Sequence, residues 1–220
     1  MRVAWPGVAL FLTASIVACP FTRSHAADGG FVEIFNGRDL SGWVADGKDT
    51  FEKDGRQDPI WLVERGMLVC QGHGFTFLRY DQVLDDFTVR LEFRVTPKSN
   101  TGLGIRAARF TGPKSTRPST TGYELQLLDD HGRRPSRYSS GSLYRYLAPK
   151  TNAIKPAGEW NSVEIECRGP RIKVTLNEQL IQDIDQSRID VIAKKPLSGY
   201  FSLQNHNSPV MFRNIRLKKL

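Results

Sequence analysis

Cysteine and histidine are scarce, three and four among 220 residues, and none of their spacings resembles a zinc site. No cofactor is therefore expected. An apolar run long enough to cross a bilayer is also missing: the stretch from Val3 to Ala18 falls short of the ~20 residues a spanning helix needs, and nothing later approaches it. Acid surplus is absent too, since 31 lysines and arginines face 23 acids for a formal net charge of +8. The basic residues are scattered or sit in loops such as Lys114 to Arg117 and Arg133 to Arg137, with no aromatic-interleaved basic helix, so nucleic acid is not an expected partner. No internal repeat and no low-complexity linker interrupts the chain, and 40% apolar with 25% charged residues is an ordinary globular mixture.

The first segment stands apart. Arg2 precedes the apolar run, and "SHA" at Ser24 to Ala26 supplies small residues before a cut, the pattern of a secretory signal over residues 1–26. "IVAC" ending at Cys19 resembles a bacterial lipobox, although Pro20 directly after it is unusual. Either route exports the product to the periplasm or beyond, and membrane association is expected only through that N-terminal lipid. Residues 27–220 then form one domain carrying Cys70 and Cys167, which close the runs "MLVC" and "VEIEC". A disulfide between them and two buried thiols are equally open readings. Nothing in the sequence fixes the oligomeric state.

From Phe31 onward apolar residues recur every second position, in short runs divided by Gly, Pro, Asn, Asp and Ser. In "FTVRLEFRV" Phe87, Val89, Leu91, Phe93 and Val95 face one way, and Thr88, Arg90, Glu92 and Arg94 the other. Similar runs from "IWLVE" to "MFRNIRL" bring the count to about eleven strands with no convincing helix. Tight turns are expected at Arg65-Gly66, Gly169-Pro170 and Asn177-Glu178. Many short antiparallel strands in one domain imply an all-β, two-sheet sandwich or jelly roll.

On the outward positions one set of side chains is rich in groups that bind a polyol: Arg106, Glu124, Gln126, Gln204 and His206. Glu124 and Gln126 share a face, roughly 6 to 7 Å apart along the strand. The stretch "GYELQLLDD" breaks its alternation at Leu127-Leu128, and a β-bulge there would return Asp129 to the face of Glu124 and Gln126. A plain strand end with two solvated aspartates is the competing reading.

Several stretches in order, "FVEIFNGRDLSGW", "WLVERGMLVCQGHG", "DDFTVRLEFRV", "NTGLGIRA", "GYELQLLD", "SGSLY", "PAGEWNSVEIECRG" and "LQNHNSPVMFRNIRL", together resemble the bacterial 3-keto-disaccharide hydrolase family, with a concanavalin A-like jelly roll. The resemblance covers nearly all of the mature chain. It departs from the family's pattern at Asn177-Glu178, where an Asn-Gly hairpin is usual, and at Asn207, where a Gly normally follows the histidine. It implies a carbohydrate substrate whose ketone at the third carbon permits proton abstraction from the second carbon, elimination of the glycosidic oxygen and hydration. Such chemistry needs a base, an acid and a group to steady the enolate oxygen. Under the resemblance Glu124 and His206 share the acid and base roles, with the order open, and Arg106 and Gln126 stabilise the ketone or enolate oxygen. Asp129, Tyr144 and Gln204 orient sugar hydroxyls or neighbouring side chains. A divalent metal held by Glu, Asp and His would suit an enolate, but no spacing argues for one.

Two alternatives stand beside this. The spacing of Glu124, Gln126 and Asp129 is that of the Glu-x-Asp-x-x-Glu motif of laminarinase-type glucanases, with the middle carboxylate replaced by an amide and the last one shortened. A retaining mechanism wants its two carboxyl groups about 5 to 5.5 Å apart. The other alternative is a non-catalytic carbohydrate-binding module, favoured by a shallow aromatic face. Trp43, Trp61 and Trp160 read as core or edge aromatics, with stacking on a sugar as the other option, and His73 and His131 as loop residues that at most line a cleft.

Overall fold

The structure, a computed structural model, describes residues 29–220. The leader and the lipobox-like Cys19 lie outside the described residues. Two antiparallel sheets pack face to face. The larger, in the order β13-β12-β11-β8-β15-β6-β5, takes Gln179–Asp185, Arg171–Leu176, Asn161–Arg168, Phe87–Val95, Val210–Lys219, Met67–Cys70 and Trp61–Glu64, with β1 (Val32–Glu33) beside β15. The smaller, in the order β10-β9-β14-β7-β2, takes Tyr123–Leu128, Asn100–Ala107, Gly199–His206, Phe75–Leu84 and Trp43–Asp46. A separate hairpin joins β3 (Thr50–Lys53) to β4 (Arg56–Pro59). All eleven runs read from the alternation are strands. The additional ones, β1 to β4, are two to four residues long, and β1, β3 and β4 bury no residue fully, so no apolar alternation marks them. Among the described residues the one α-helix is the single turn α1, Pro118–Thr121, and no helix is long and apolar enough to cross a membrane.

The core fills the space between the sheets. Phe87, Val89, Leu91, Phe93 and Val95 of β8 are buried in one cluster with Leu103, Ile105, Leu125, Leu127 and Leu203 from the opposite sheet. Trp43 and Trp61 are buried in the same cluster. On the outward face of β8, Glu92 accepts from Arg213 at 2.6 Å and Arg90 pairs with Glu164. Trp160 lies on this outer face under Arg213 and Arg94, at 3.9 and 5.0 Å.

The expected turns fall where the sequence puts them. Arg65 and Gly66 both take positive φ, and so do Asn177 and Glu178, at 47° and 66°, the backbone of a type I′ hairpin. Cys70 and Cys167 are free and buried, which settles the open question in favour of thiols. The topology explains it. Cys167 pairs with Phe87 at one end of β8, while Cys70 pairs with Val210, itself opposite Val95 at the other end. Eight residues of strand separate them by roughly 27 Å, and a disulfide needs Cα atoms within about 7 Å.

Candidate functional site

The outward face of the five-stranded sheet gathers most of the polar side chains picked out in the sequence. Register fixes who sits beside whom: Glu124 lies opposite Gly104 and Gln126 opposite Gly102, Gly104 in turn faces Ser202, and Gln204 and His206 of β14 face Phe77 and Phe75 of β7. The two glycines form the floor. A Cβ on Gly102 would sit 3.0 Å from Glu124 Cγ, and one on Gly104 would sit 2.2 Å from Ser202 Oγ. With no side chains there, Glu124 reaches across β9, and Gln204 on β14 donates to its carboxylate.

A short roof covers this floor. Pro118 starts α1 where its missing N–H costs nothing, and the turn sets Pro118 and Ser119 above β9 and β10 and carries the Arg117 guanidinium over the Phe75 ring of β7, 4.1 Å from its centroid. Lys195 Nζ holds the turn from behind, donating to Gly122 O at 2.6 Å and Thr120 O at 2.9 Å, while Tyr146 Oη donates to Ser119 O at 3.2 Å. Ser119 donates to the Glu124 carboxylate, and the Arg117 guanidinium lies close enough to act on its charge. Glu124 is 5% exposed, Gln126 4% and Gln204 1%. Burial pushes the Glu124 pKa up from 4.5; the bonds from Gln204 and Ser119 and the nearby Arg117 pull the other way without overcoming it.

Several buried polar atoms here have no partner: Gln126 Oε1, Gln204 Oε1, Asn100 Oδ1, Ser142 Oγ and Arg117 Nε. Buried acceptors are almost always hydrogen-bonded, to protein or to water, so these four oxygens on neighbouring segments can accept from water or from a ligand's hydroxyls. Ser142 and Tyr144 belong to a segment that runs along the free edge of β10, with Gln126 N donating to Ser142 O at 3.0 Å and Tyr144 N to Glu124 O at 2.8 Å. Tyr144 is half-buried and meets Tyr138 edge-on at 5.7 Å. His206 sits at the exposed end of β14, edge-on to Phe75 at 5.1 Å.

Two expected members are elsewhere. Arg106 was placed on the outward face by simple alternation, but β9 bulges between Gly104, opposite Ser202, and Ala107, opposite Tyr200. Arg106 takes φ 50° at this irregularity, and its fully buried side chain donates to Asp85 O at 3.0 and 2.8 Å, to Gly169 O at 2.6 Å and to Asp86 Oδ1 at 3.0 Å. It ties the sheets' edges together and does not face Glu124. Asp129 is the second correction. Strand β10 has no bulge; its pairing with β9 runs unbroken from Tyr123 to Leu128, so Leu128 takes the outward position and Asp129 accepts from Lys98 N at 2.8 Å in the β8–β9 turn. Leu127-Leu128 marks a strand end whose second leucine is half-buried.

Arg117 and Ser119 escaped the sequence reading because they lie in a loop, where no period tells which side chains fold back over a sheet. The Pro118 after Arg117 was the available signal, since a proline that opens a turn fixes its direction. Asn207, where the family resemblance implies a Gly, takes the left-handed backbone at φ 57° and accepts from Gly74 N at 3.3 Å. His73 does line a cavity beside the site, with Phe51 stacked on it; His131 Nδ1 instead meets Ile154 O at 2.7 Å. None of the three tryptophans faces Glu124. No cluster of three or more His, Cys, Asp or Glu able to hold a metal occurs among the described residues.

Residues 30–218 match the model of the 3-keto-alpha-glucoside-1,2-lyase-like domain. A curated relative, the 3-keto-disaccharide hydrolase of Bacteroides thetaiotaomicron, is 24% identical over 234 residues, covering 87% of this chain and 79% of that protein. Among solved structures, a "putative glycosyl hydrolase" of Parabacteroides distasonis superposes with a TM-score of 0.71 at 24% identity, over 87% of this chain and 94% of that one. The carbohydrate-binding module CBM66 of Bacillus subtilis superposes at 0.52 with 16% identity, over 81% and 96% of the two chains. These likenesses agree with the two-sheet sandwich expected from the strand pattern and with the concanavalin A-like fold that the family resemblance implies.

Proposed function

Because the chain belongs to the 3-keto-alpha-glucoside-1,2-lyase-like family, we propose that it cleaves the glycosidic bond of 3-keto-glycosides, 3-keto-disaccharides among them, by elimination and hydration. The ketone at C3 acidifies the hydrogen on C2. A base takes that proton, the C–H electrons form the C1–C2 double bond, and the bond from C1 to the leaving oxygen breaks. An acid gives the leaving oxygen its proton. Water then adds across the double bond, hydroxyl to C1 and hydrogen to C2, so the net change is hydrolysis and no oxidant is consumed.

The buried Glu124 carboxyl carries this reading. Its raised pKa keeps it protonated further up the pH scale than an ordinary glutamate, which suits the acid that protonates the leaving oxygen. His206, exposed at the end of β14, takes the C2 proton. Arg117 assumes the part expected of Arg106, a positive charge at the developing enolate oxygen; its guanidinium lies over Phe75 within electrostatic reach of Glu124, and its Nε is unpartnered. Gln126 offers an unpartnered acceptor, which fits a sugar hydroxyl better than a ketone oxygen, and Gln204 both steadies Glu124 and accepts from the sugar.

A retaining glucanase mechanism needs a second carboxylate facing Glu124, and Asp129 is held at Lys98 N instead. A pure binding module has no evident use for a carboxyl whose pKa is raised by burial. The test is product formation from a 3-keto α-glucoside and from its unoxidised parent, with the parent protein and Glu124→Gln. Cleavage of the keto compound alone, lost in the variant, is the expected result; cleavage of both would overturn elimination, and binding without cleavage would make the protein a carbohydrate-binding module. The signal-like leader over residues 1–26, and not the reaction, is the ground for proposing that the enzyme works outside the cytoplasm, and the mass of the mature N-terminus separates a cut after Ala26 from lipidation at Cys19.

A further inference from the structure

Beyond β7 the site face continues into a cavity of about 620 Å³ whose exposed lining is mostly apolar, from Phe51, Ile60, Phe75 and Phe110, with Lys48, Thr50, Glu52, His73, Thr76 and Arg117 as its polar members. The β3–β4 hairpin contributes Phe51, and the loop that leads to α1 contributes Phe110 and Arg117. The walls are firmly set. Phe51 and His73 stack with centroids 3.5 Å apart, and Phe110 meets Phe75 and Phe77 edge to face at 5.7 and 5.1 Å. Phe110 N donates to the buried Asp46 Oδ2 at 3.1 Å, and Asp46 in turn pairs with Arg79 at 3.2 Å.

Two residues join this cavity to the Glu124 site. Arg117 lines the cavity and acts on the charge of Glu124, and Phe75 lines it while meeting His206 edge-on. Across the sheet the outward face therefore changes character. The β10 and β9 side presents the unpartnered oxygens of Gln126 and Asn100, and the β7 side presents phenyl rings.

We propose that the cavity receives the leaving group of the substrate and selects an apolar, aromatic aglycone over a second sugar. This rests on the catalytic reading above. A sugar in that position would set hydroxyls against the rings of Phe51, Phe75 and Phe110, and each one that Lys48, Thr50, Glu52 and Thr76 do not reach costs free energy. An aromatic ring loses nothing comparable and gains edge or offset contacts with Phe51, Phe75 and Phe110. The volume falls in the range of sites for small organic ligands. The keto sugar itself then lies over Gly102 and Gly104, with its hydroxyls on the acceptor side.

The experiment compares kcat/KM for benzyl and methyl 3-keto α-glucosides and a 3-keto-disaccharide. Benzyl and methyl alcohols are similar leaving groups, so their ratio reads the pocket. Benzyl should exceed the other two about tenfold, and Phe51→Ala should lower the benzyl-to-methyl ratio by a similar factor, with Phe51→Leu between. A ratio near one, or one that Phe51→Ala leaves unchanged, overturns the proposal. If no keto-glucoside is cleaved, the catalytic reading fails, and calorimetry with benzyl and methyl α-glucoside decides the cavity by itself: benzyl-selective binding that depends on Phe51 upholds it, and equal heats overturn it.

Discussion

Closing one carboxyl off from water has consequences that can be measured at residue 124. The folded state holds the Glu124 proton more tightly than the unfolded chain does, because burial raises its pKa above 4.5. Stability linked to that proton is fully present below the unfolded value and is lost as pH rises through the raised folded value. Glu124→Gln buries no charge, so its Tm relative to the parent should climb with pH across that window. A constant difference at every pH would mean that Glu124 titrates as an ordinary glutamate. In the proposed reaction the same variant should lose at least about 100-fold in kcat/KM, and parent activity should fall as pH rises through the raised pKa and Glu124 surrenders its proton. Glu178 makes a second test. It sits at φ 66° in the β12–β13 hairpin, and an L side chain in that region costs roughly 1 kcal/mol. Glu178→Gly should therefore raise Tm, without touching activity, since the β12–β13 turn belongs to the other sheet.

Strand β9 shows how an element shapes a site through what it leaves out. Gly104→Ala would drive a methyl to 2.2 Å from Ser202 Oγ and 3.1 Å from Pro118 Cβ, lifting α1 and with it Arg117 and Ser119. Activity should drop more steeply than Tm, and a proportional loss of both would argue that the roof has no part in catalysis. The bulge one turn of the pleat further on makes Arg106 structural. Arg106→Met would leave Asp85 O and Gly169 O without their donor and should destabilise by about 2 to 4 kcal/mol, while the folded fraction keeps its kcat. A selective loss of kcat would return Arg106 to the reaction. Strand existence and facing were legible, because alternation is a local consequence of the pleat. The β9 bulge was not, since it depends on how β14 pairs on one side and on the turn that receives Arg106 on the other. The same limit explains Asp129: Leu127-Leu128 resembles a bulge in sequence, yet the β8–β9 turn captures the carboxylate.

At the scale of the whole molecule, the two buried thiols report on the integrity of the sandwich. Burial pushes both Cys70 and Cys167 up to about 12, so neither forms an appreciable thiolate near neutrality. A thiol reagent at pH 8 should leave the folded protein unlabelled at these positions and react only on unfolding, and Tm should be indifferent to reductant; rapid labelling of the native protein would contradict the packing. The sequence alone determined the all-β class, eleven of the strands, their inward and outward faces, and the presence of Glu124, Gln126, Gln204 and His206 on outward positions, because strand period and turn chemistry act over a few residues. Only the tertiary structure decided that these four share one face, that Arg106 and Asp129 leave it, and that Arg117 and Ser119 come over it from a loop. Those outcomes depend on register between strands far apart in the chain and on the path of irregular segments, which no local period encodes.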